Sequence, residues 1–147
     1  MFCALNEVID MEDITYTNTA EQITHSQLDG FFVGWPKHPS SEKFLEILQA
    51  SHGVEVAIDT ETNQVVGFIN VISDGIFTGY IPLLEVLPEY QGRGIGKTLI
   101  DRVLASYNDL YMLDVCCDKS VEQLYASKGF SKVSGMVRRN YEKQNVS

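Results

Sequence analysis

The sequence contains no apolar run approaching the roughly 18 residues that span a bilayer as a helix, so membrane insertion is not expected. Cysteine is scarce and odd in number: Cys3, Cys116 and Cys117. Two of the three are adjacent and cannot easily bridge each other, and no C-x-x-C spacing occurs. The three histidines, His25, His38 and His52, show no ligand spacing either. These absences argue against a disulfide framework and a metal site, and point to a reduced, metal-free, cytoplasmic protein. Basic residues are few: 11 Lys and Arg stand against 20 Asp and Glu, a formal net charge of −9. Duplex-DNA binders usually carry a basic face. The nearest approach to one, Arg138-Arg139, is followed by Glu142, so no nucleic-acid partner is expected. The N-terminus reaches Glu7 and Asp10 early without a basic stretch, unlike a secretory signal. There is no internal repeat and no low-complexity segment.

What is present is ordinary globular material. Hydrophobic residues make up 44% and charged residues 21% of 147 residues, enough for one domain with a core of its own. Residues 1–12 read as a flexible leader, and Met11 as an alternative start. The acidic balance favours cationic partners.

The patterning indicates a mixed α/β fold. Ile14 to Thr17 is β-branched and aromatic, a short strand. Thr19, with Gln22 three residues on, predicts a helix cap and a helix to about Phe32. Gly34-Trp35-Pro36-Lys37-His38-Pro39 is a loop. Ser40 or Ser41 caps a second helix with Phe44, Leu45 and Leu48 on one face, ended by Gly53. Strands follow at 54–58, 65–72 and 80–87, joined by short turns. The middle one is nearly continuously apolar, which predicts cover on both faces. Leu99, Ile100, Val103, Leu104 and Tyr107 recur at helical spacing, so a helix runs from about Gly94 to Tyr107. A strand at 111–116, a short helix around Val121, Leu124 and Tyr125 stopped by Gly129, and a β pair at 130–133 and 136–141 complete the chain. Strand 80–87, helix and strand 111–116 form a βαβ unit whose strands should be parallel.

The most informative stretch is Pro88-Glu89-Tyr90-Gln91-Gly92-Arg93-Gly94-Ile95-Gly96-Lys97-Thr98, between a strand and a helix. Its glycines allow a tight turn that gathers several N–H groups, and these with the helix dipole favour an anion such as phosphate. Lys97 sits where a cation is usually unfavourable, and Arg93 lies in the loop; a bound polyphosphate makes both favourable. The alternative is a plain connection with solvated Lys and Arg. A dinucleotide G-x-G-x-x-G fails at Lys97, and a P-loop fails at Gln91 and in the room left after it.

Gln91-x-x-Gly94-x-Gly96 resembles the Q/R-x-x-G-x-G/A signature of the GCN5-related N-acetyltransferases (GNAT). Leu84-x-Val86-x-Pro88-x-Tyr90 before it and Leu99-Ile100 after it agree. Leu124-Tyr125-Ala126-Ser127-Lys128-Gly129-Phe130 resembles that family's Y-x-x-x-G-F segment. The resemblance covers about residues 12–141. Gly34-Trp35 and Ile72-Ser73-Asp74-Gly75 resemble, more narrowly, small arylalkylamine-type members.

The resemblance implies a GNAT fold: a largely antiparallel sheet with a parallel splay and flanking helices. It implies acetyl-CoA as co-substrate, with no metal. The backbone of Leu84 and Val86 would pair with the pantetheine arm, and the N–H groups of Gln91, Gly92, Arg93, Gly94, Ile95, Gly96 and Lys97 would hold the pyrophosphate. The Val86 N–H would stabilise charge on the thioester oxygen. Tyr125 matches the family's general acid. Glu85, on the strand beside the thioester, is the candidate base, with Asp74 and Asp114 behind it. Family members are often homodimers. The chain departs from many members at Asp118, where Asn helps hold the cofactor, and that contact is in question.

Each residue has a plainer reading. Tyr125 shares an apolar face with Val121 and Leu124 and can be a core tyrosine. Glu85 alternates with Leu84 and Val86 and can be a solvated strand carboxylate. Trp35 can line an acceptor pocket or plug the core, the second being favoured. Cys116 reads as a small apolar strand residue, which favours direct transfer over an acyl-cysteine. The expectation is acetyl transfer from acetyl-CoA to a cationic small-molecule or peptide amine. The alternatives are a non-catalytic acetyl-CoA-binding module and a P-loop-like nucleotide-binding protein.

Overall fold

The computed structural model describes residues 13–147. The leader expected over 1–12, with Cys3, lies outside them. Strands β1 (Ile14–Thr17), β2 (Gly53–Asp59) and β3 (Val65–Ser73) form an antiparallel meander. β3 is the central strand and is buried from Val65 to Val71. On one face Phe68 meets Phe44 of α1 (Ser41–Ala50) with ring centroids 4.6 Å apart. On the other, Gly67 lets α2 (Ile95–Ser106) approach: a Cβ there would lie 3.1 Å from Ile95 Cγ2 and 3.3 Å from Leu99 Cδ1. The near-continuous apolar run thus has helices or packed loops on both faces, as its pattern predicts.

The second half of the sheet holds the expected parallel pair. β4 (Thr78–Ile81) runs antiparallel to the end of β3, and β6 (Met112–Val115) runs parallel to β4 with Thr78 opposite Met112 and Ile81 opposite Val115. α3 (Lys119–Ala126) follows β6, and Lys128 just beyond it pairs with Asp101 of α2 at 2.5 Å. The observed sheet has six strands in the order β1-β2-β3-β4-β6, with β5 (Leu84–Val86) beside β3. No helix among the described residues is long and apolar enough to cross a membrane.

Four expectations are corrected. The helix from Thr19 to Phe32 is only a 3-10 turn at His25–Gln27. Local side-chain bonds compete with it: Thr19 Oγ1 accepts from the Glu21 N–H at 3.2 Å, and the Thr24 N–H donates to Gln27 Oε1 at 2.9 Å. Gly53 does not end α1, which Ser51 caps; it starts β2, where a Cβ would overlap the Tyr107 hydroxyl. The strand at 80–87 is two strands, broken at Pro82-Leu83. The closing β pair at 130–133 and 136–141 does not form; residues 131–140 carry no strand. Strand propensity expresses fit to a neighbouring pleated surface; this segment passes the end of β6, where a Cβ on Gly135 would lie 3.5 Å from Cys116 Sγ, without forming a ladder among the described residues.

Candidate active site

The break between β4 and β5 opens the sheet. Pro82 has no N–H to give a ladder. The pairing with β3 gains one residue across this point, from Tyr80 opposite Ile72 to Leu84 opposite Ile69, which is a β-bulge. Asn70, a buried amide in an apolar strand, fixes it. Its N–H donates to Leu83 O at 3.2 Å, its Oδ1 accepts from the Leu83 N–H at 3.1 Å, and its Nδ2 donates to Ser51 Oγ at 3.0 Å. Beyond the bulge, β5 stays with β3, while β6 keeps only β4, so the sheet opens between β5 and the end of β6.

The open side of β5 presents backbone. The Leu87 N–H donates to Val66 O at 2.8 Å. Groups alternate sides along an antiparallel strand, so the N–H groups of Leu84 and Val86 face away from β3 and into the opening. Gln91 reaches back on the same side, its Nε2 donating to Val86 O at 3.0 Å. Gln91 thereby ties the glycine loop to β5.

The loop itself is anchored on both flanks. The Tyr90 hydroxyl donates to Asp59 Oδ2 at 2.5 Å, and Asp59 Oδ1 accepts from the Glu61 and Thr62 N–H groups at 2.8 and 3.3 Å. These bonds, the Tyr90 hydroxyl first, hold the Asp59 carboxyl below its ordinary range. The Arg93 guanidinium stacks 4.9 Å above the Tyr90 ring. Gly92 and Gly94 have φ of +77° and +81°, and a Cβ on either would meet nothing within 4 Å. Backbone conformation, not space, requires glycine there. The first bond of α2 runs from the Thr98 N–H to Gly94 O at 3.0 Å. The N–H groups of Ile95, Gly96 and Lys97 therefore have no partner within the helix. No acidic residue lies in that first turn, and no side chain caps it. The turn therefore leaves these N–H groups open to an outside acceptor.

A family model described as an acetyltransferase (GNAT) domain matches residues 19–143. The chain belongs to the GNAT acetyltransferase family. Histone acetyltransferase TAP1 of Glycine max is 30% identical over 111 residues, covering 67% of this chain and 47% of that protein. GCN5-related N-acetyltransferase 2, chloroplastic, of Arabidopsis thaliana is 26% identical over 117 residues, 67% of this chain and 45% of that protein. The chain thus spans about half the length of these curated relatives. A crystal structure from Deinococcus radiodurans R1, described as a candidate acetyltransferase, superposes with a TM-score of 0.87 at 39% identity, covering 92% of this chain and 94% of that one.

Within this GNAT frame the expected site residues fall into two groups. Leu84, Val86 and Gln91 to Lys97 are contiguous along β5, the loop and the start of α2. Tyr125 sits on the inner face of α3, 4% exposed, with its ring edge-to-face on Phe130 at 5.2 Å. Burial raises its hydroxyl above the ordinary tyrosine pKa, with Cys117 and Tyr80 close enough to add to the effect. Among the described residues its oxygen takes no hydrogen bond.

Glu85 points away from this group. Its Oε2 accepts from the Phe32 N–H at 2.7 Å and its Oε1 from the Val33 N–H at 3.1 Å. It clamps the 30–34 loop, in which Gly30, Phe32 and Gly34 all have positive φ. Phe32 is buried and packs edge-on to Phe44 at 4.9 Å and to Trp35 at 5.1 Å. Phe32, not Trp35, plugs the core here, and Trp35 remains 40% exposed. Asp74 lies at the far end of the sheet, where Oδ1 closes a turn by accepting from Ile76, Phe77 and Thr78 N–H groups at 2.8, 2.8 and 3.1 Å. Asp114 is exposed on β6, and Asp118 stands at the N-cap of α3 without a side-chain capping bond. Cys116 and Cys117 are exposed thiols. No group of three or more potential metal ligands occurs among the described residues.

Sequence reasoning missed Asn70, Asp59 and the Phe32–Val33 backbone. Asn70 had a signal: one amide inside a strand otherwise apolar on both faces.

Proposed function

We propose that the chain transfers an acetyl group from acetyl-CoA directly to a primary amine. The observation that carries this is the continuity of the open Val86 backbone with the uncapped, glycine-turned start of α2. An extended acyl-pantetheine arm can pair with β5 while its pyrophosphate meets the N–H groups of Gln91 to Lys97, with Lys97 and Arg93 supplying charge. The Val86 N–H serves as the donor for charge developing on the thioester oxygen.

The incoming amine must be neutral. An alkylamine of pKa about 10.4 costs about 4–5 kcal/mol to deprotonate at pH 7. Glu85 is the base in this reading, directly or through water. Each of its oxygens accepts one N–H and keeps a lone pair. Its charge, and the acidic body around it, favour a cationic acceptor, a small amine or an exposed peptide amine. Exposed Trp35 beside the clamped loop suits an aromatic amine, the narrower arylalkylamine reading. Tyr125 faces the leaving thiolate. Its raised pKa keeps it protonated, so it acts chiefly as a hydrogen-bond donor as sulfur charge grows, with water completing the proton's return.

The residues 13–147 and the leader are taken as one domain. The exposed thiols suit a reducing compartment, here the cytoplasm. The deciding experiment is thiol release from acetyl-CoA across a panel of amines, run with a thermal-shift comparison of acetyl-CoA, CoA and Mg-ATP. Stabilisation by both CoA species with amine-dependent thiol release supports the reading. Stabilisation without release on any amine turns it to a non-catalytic acetyl-CoA-binding module. Stabilisation by Mg-ATP alone overturns it in favour of a nucleotide-binding protein.

A further inference from the structure

β2 outruns β1. Their pairing stops at Thr17 opposite Val56, so Gly53, Val54 and Glu55 lie past the end of β1. Val54 stands opposite Asn70, whose own N–H donates to Leu83 on the far side of β3. Such a pair exchanges no backbone hydrogen bonds, so the Val54 N–H and C=O point away from β3, into the gap past Thr17. No strand among the described residues lies beside them there. Two adjoining depressions of about 240 and 340 Å3 occupy the gap and share Asn18, His52, Gly53 and Val54.

The electrostatics of this gap have one sign. Both long helices end on it, α1 with Gln49 and Ser51, α2 with Ser106 and Tyr107. Helix C-termini carry partial negative charge. Neither helix has a basic residue in its last turn, and no Lys or Arg lines either depression. Two carboxylates do, the exposed Glu21 and the buried Glu55.

Glu55 is the decisive group. Its side chain is only 5% exposed. Its Oε2 accepts from Arg102 Nε at 2.6 Å, and the Arg102 guanidinium lies 5.5 Å from the centroid of the Tyr16 ring. Its Oε1 has no hydrogen-bond partner among the described residues. None of their side-chain oxygens that are sealed from solvent lacks a partner, so Oε1 opens on the depression that Glu55 lines. The Tyr107 hydroxyl covers Gly53 and stands 2.8 Å from His52 Nδ1. Burial and the Glu55 charge together hold that hydroxyl above the ordinary tyrosine pKa, as a carboxylate at close range does.

We propose that this gap is a second binding site, for a small primary alkylammonium ion. The ammonium donates to Glu55 Oε1 and to the carbonyls at the edge of β2 and the end of α2, and its alkyl chain lies on Val54 and Val103. The glycine turn starts α2 and this gap ends it, 12 residues and about 18 Å further along the axis. The site therefore stands whether or not the chain transfers acetyl groups.

An amide-resolved NMR titration of the full chain with butylammonium chloride, without acetyl-CoA, tests this. Saturable shifts are expected at Gly53 to Glu55 and at Ser106 and Tyr107. Sodium chloride at equal ionic strength, and tetramethylammonium, which has no N–H to donate, should not reproduce them. Asn18 is exposed on the rim, and Asn18→Lys brings a fixed ammonium there. The variant should keep its fold and raise the dissociation constant at least about tenfold. Glu55→Gln should weaken binding by about as much. It also takes the charge from beside Arg102, and if it does not fold, Asn18→Lys decides alone. The proposal is overturned by the lack of any saturable shift, by equal shifts with sodium chloride, or by binding that Asn18→Lys leaves unchanged. Shifts confined to 84–97 overturn it too, since the amine then occupies the acceptor site only. A failure of acetyl transfer on every amine would sink the proposed function and leave these shifts as they are.

Discussion

Asn70 holds Leu83 by both of its backbone groups, donating to the carbonyl at 3.2 Å and accepting from the N–H at 3.1 Å. This pairing lets β4 and β5 part company at Pro82 without leaving polar groups stranded. It sets where the sheet opens, and so where the Val86 N–H is directed.

Asn70→Ala removes the partner of a half-buried N–H and the bond to Ser51. A cost of about 1–3 kcal/mol in stability is expected. Because the bulge aims β5, acetyl-CoA affinity should fall as well. Chemical denaturation and calorimetric titration of one preparation check both effects. Lost stability with unchanged affinity would detach Asn70 from the geometry of the site.

Gly94 and Gly96 look alike in the signature but differ physically. Gly94 has φ of +81°, so Gly94→Ala must strain the backbone by about 1–2 kcal/mol. Gly96 has ordinary helical geometry, and a Cβ there would sit 3.7 Å from Val86 Cγ2, an ordinary contact. Gly96→Ala should be neutral or stabilising by about 0.5–1 kcal/mol. The urea midpoint should fall for Gly94→Ala and hold or rise for Gly96→Ala.

The pH dependence of stability has an identifiable cause at each end. The Tyr125 hydroxyl is raised by burial, Tyr107 likewise, and Tyr90 by its bond to Asp59. Above about pH 10 the unfolded chain loses these protons before the folded one, so stability falls as pH rises. Tyr125→Phe should flatten that alkaline decline. Asp59 and Asp74 are lowered, the first chiefly by the Tyr90 hydroxyl and the second by the Phe77 N–H. Their contribution is complete above the ordinary carboxylate range and is lost as pH falls through their folded pKa values. Asp59→Asn should remove part of the acid sensitivity and loosen the Tyr90–Arg93 flank of the loop.

Tyr125→Phe also separates catalysis from folding. Its hydroxyl takes no hydrogen bond among the described residues, so the phenylalanine should fold normally and bind acetyl-CoA unchanged. Loss of a donor to the leaving thiolate should lower kcat by about 10²–10⁴-fold. Unchanged kcat with intact affinity would leave Tyr125 as a packing residue beside Phe130.

The glycine loop was legible because its information is local: Gln91, Gly94 and Gly96 lie within six residues, and the positive φ at Gly94 holds that position to glycine. β3 was legible because burial on both faces removes alternation. Less local features were not. The helix expected before Phe32 loses to Thr19 and Thr24 side-chain bonds and to a carboxylate 53 positions away, since Glu85 holds the Phe32 N–H. The split of strand 80–87 depends on Asn70, thirteen residues from Leu83, with Pro82 as its single local sign. The closing β pair does not form, because whether a segment finds a ladder partner is settled by residues outside it, which no reading of Phe130 to Tyr141 in isolation can supply.

Glu85 is where chemistry and architecture compete for one side chain. Its carboxylate accepts two backbone N–H groups, one on each oxygen, from a loop with three positive-φ residues. Glu85→Gln turns an NH₂ against one of those donors and should destabilise the protein by about 1–3 kcal/mol. That cost alone does not reveal a base. The pH profile of kcat/KM does. If Glu85 takes the amine proton, the variant should lose the acidic limb of the profile, together with about 10²–10⁴-fold in rate. If Glu85 only clamps the loop that carries Trp35, KM for the amine should rise while the acidic limb keeps its position. The second outcome would move the base to water or to another carboxylate, and would leave the carboxylate's two hydrogen bonds as the reason for a glutamate between Leu84 and Val86.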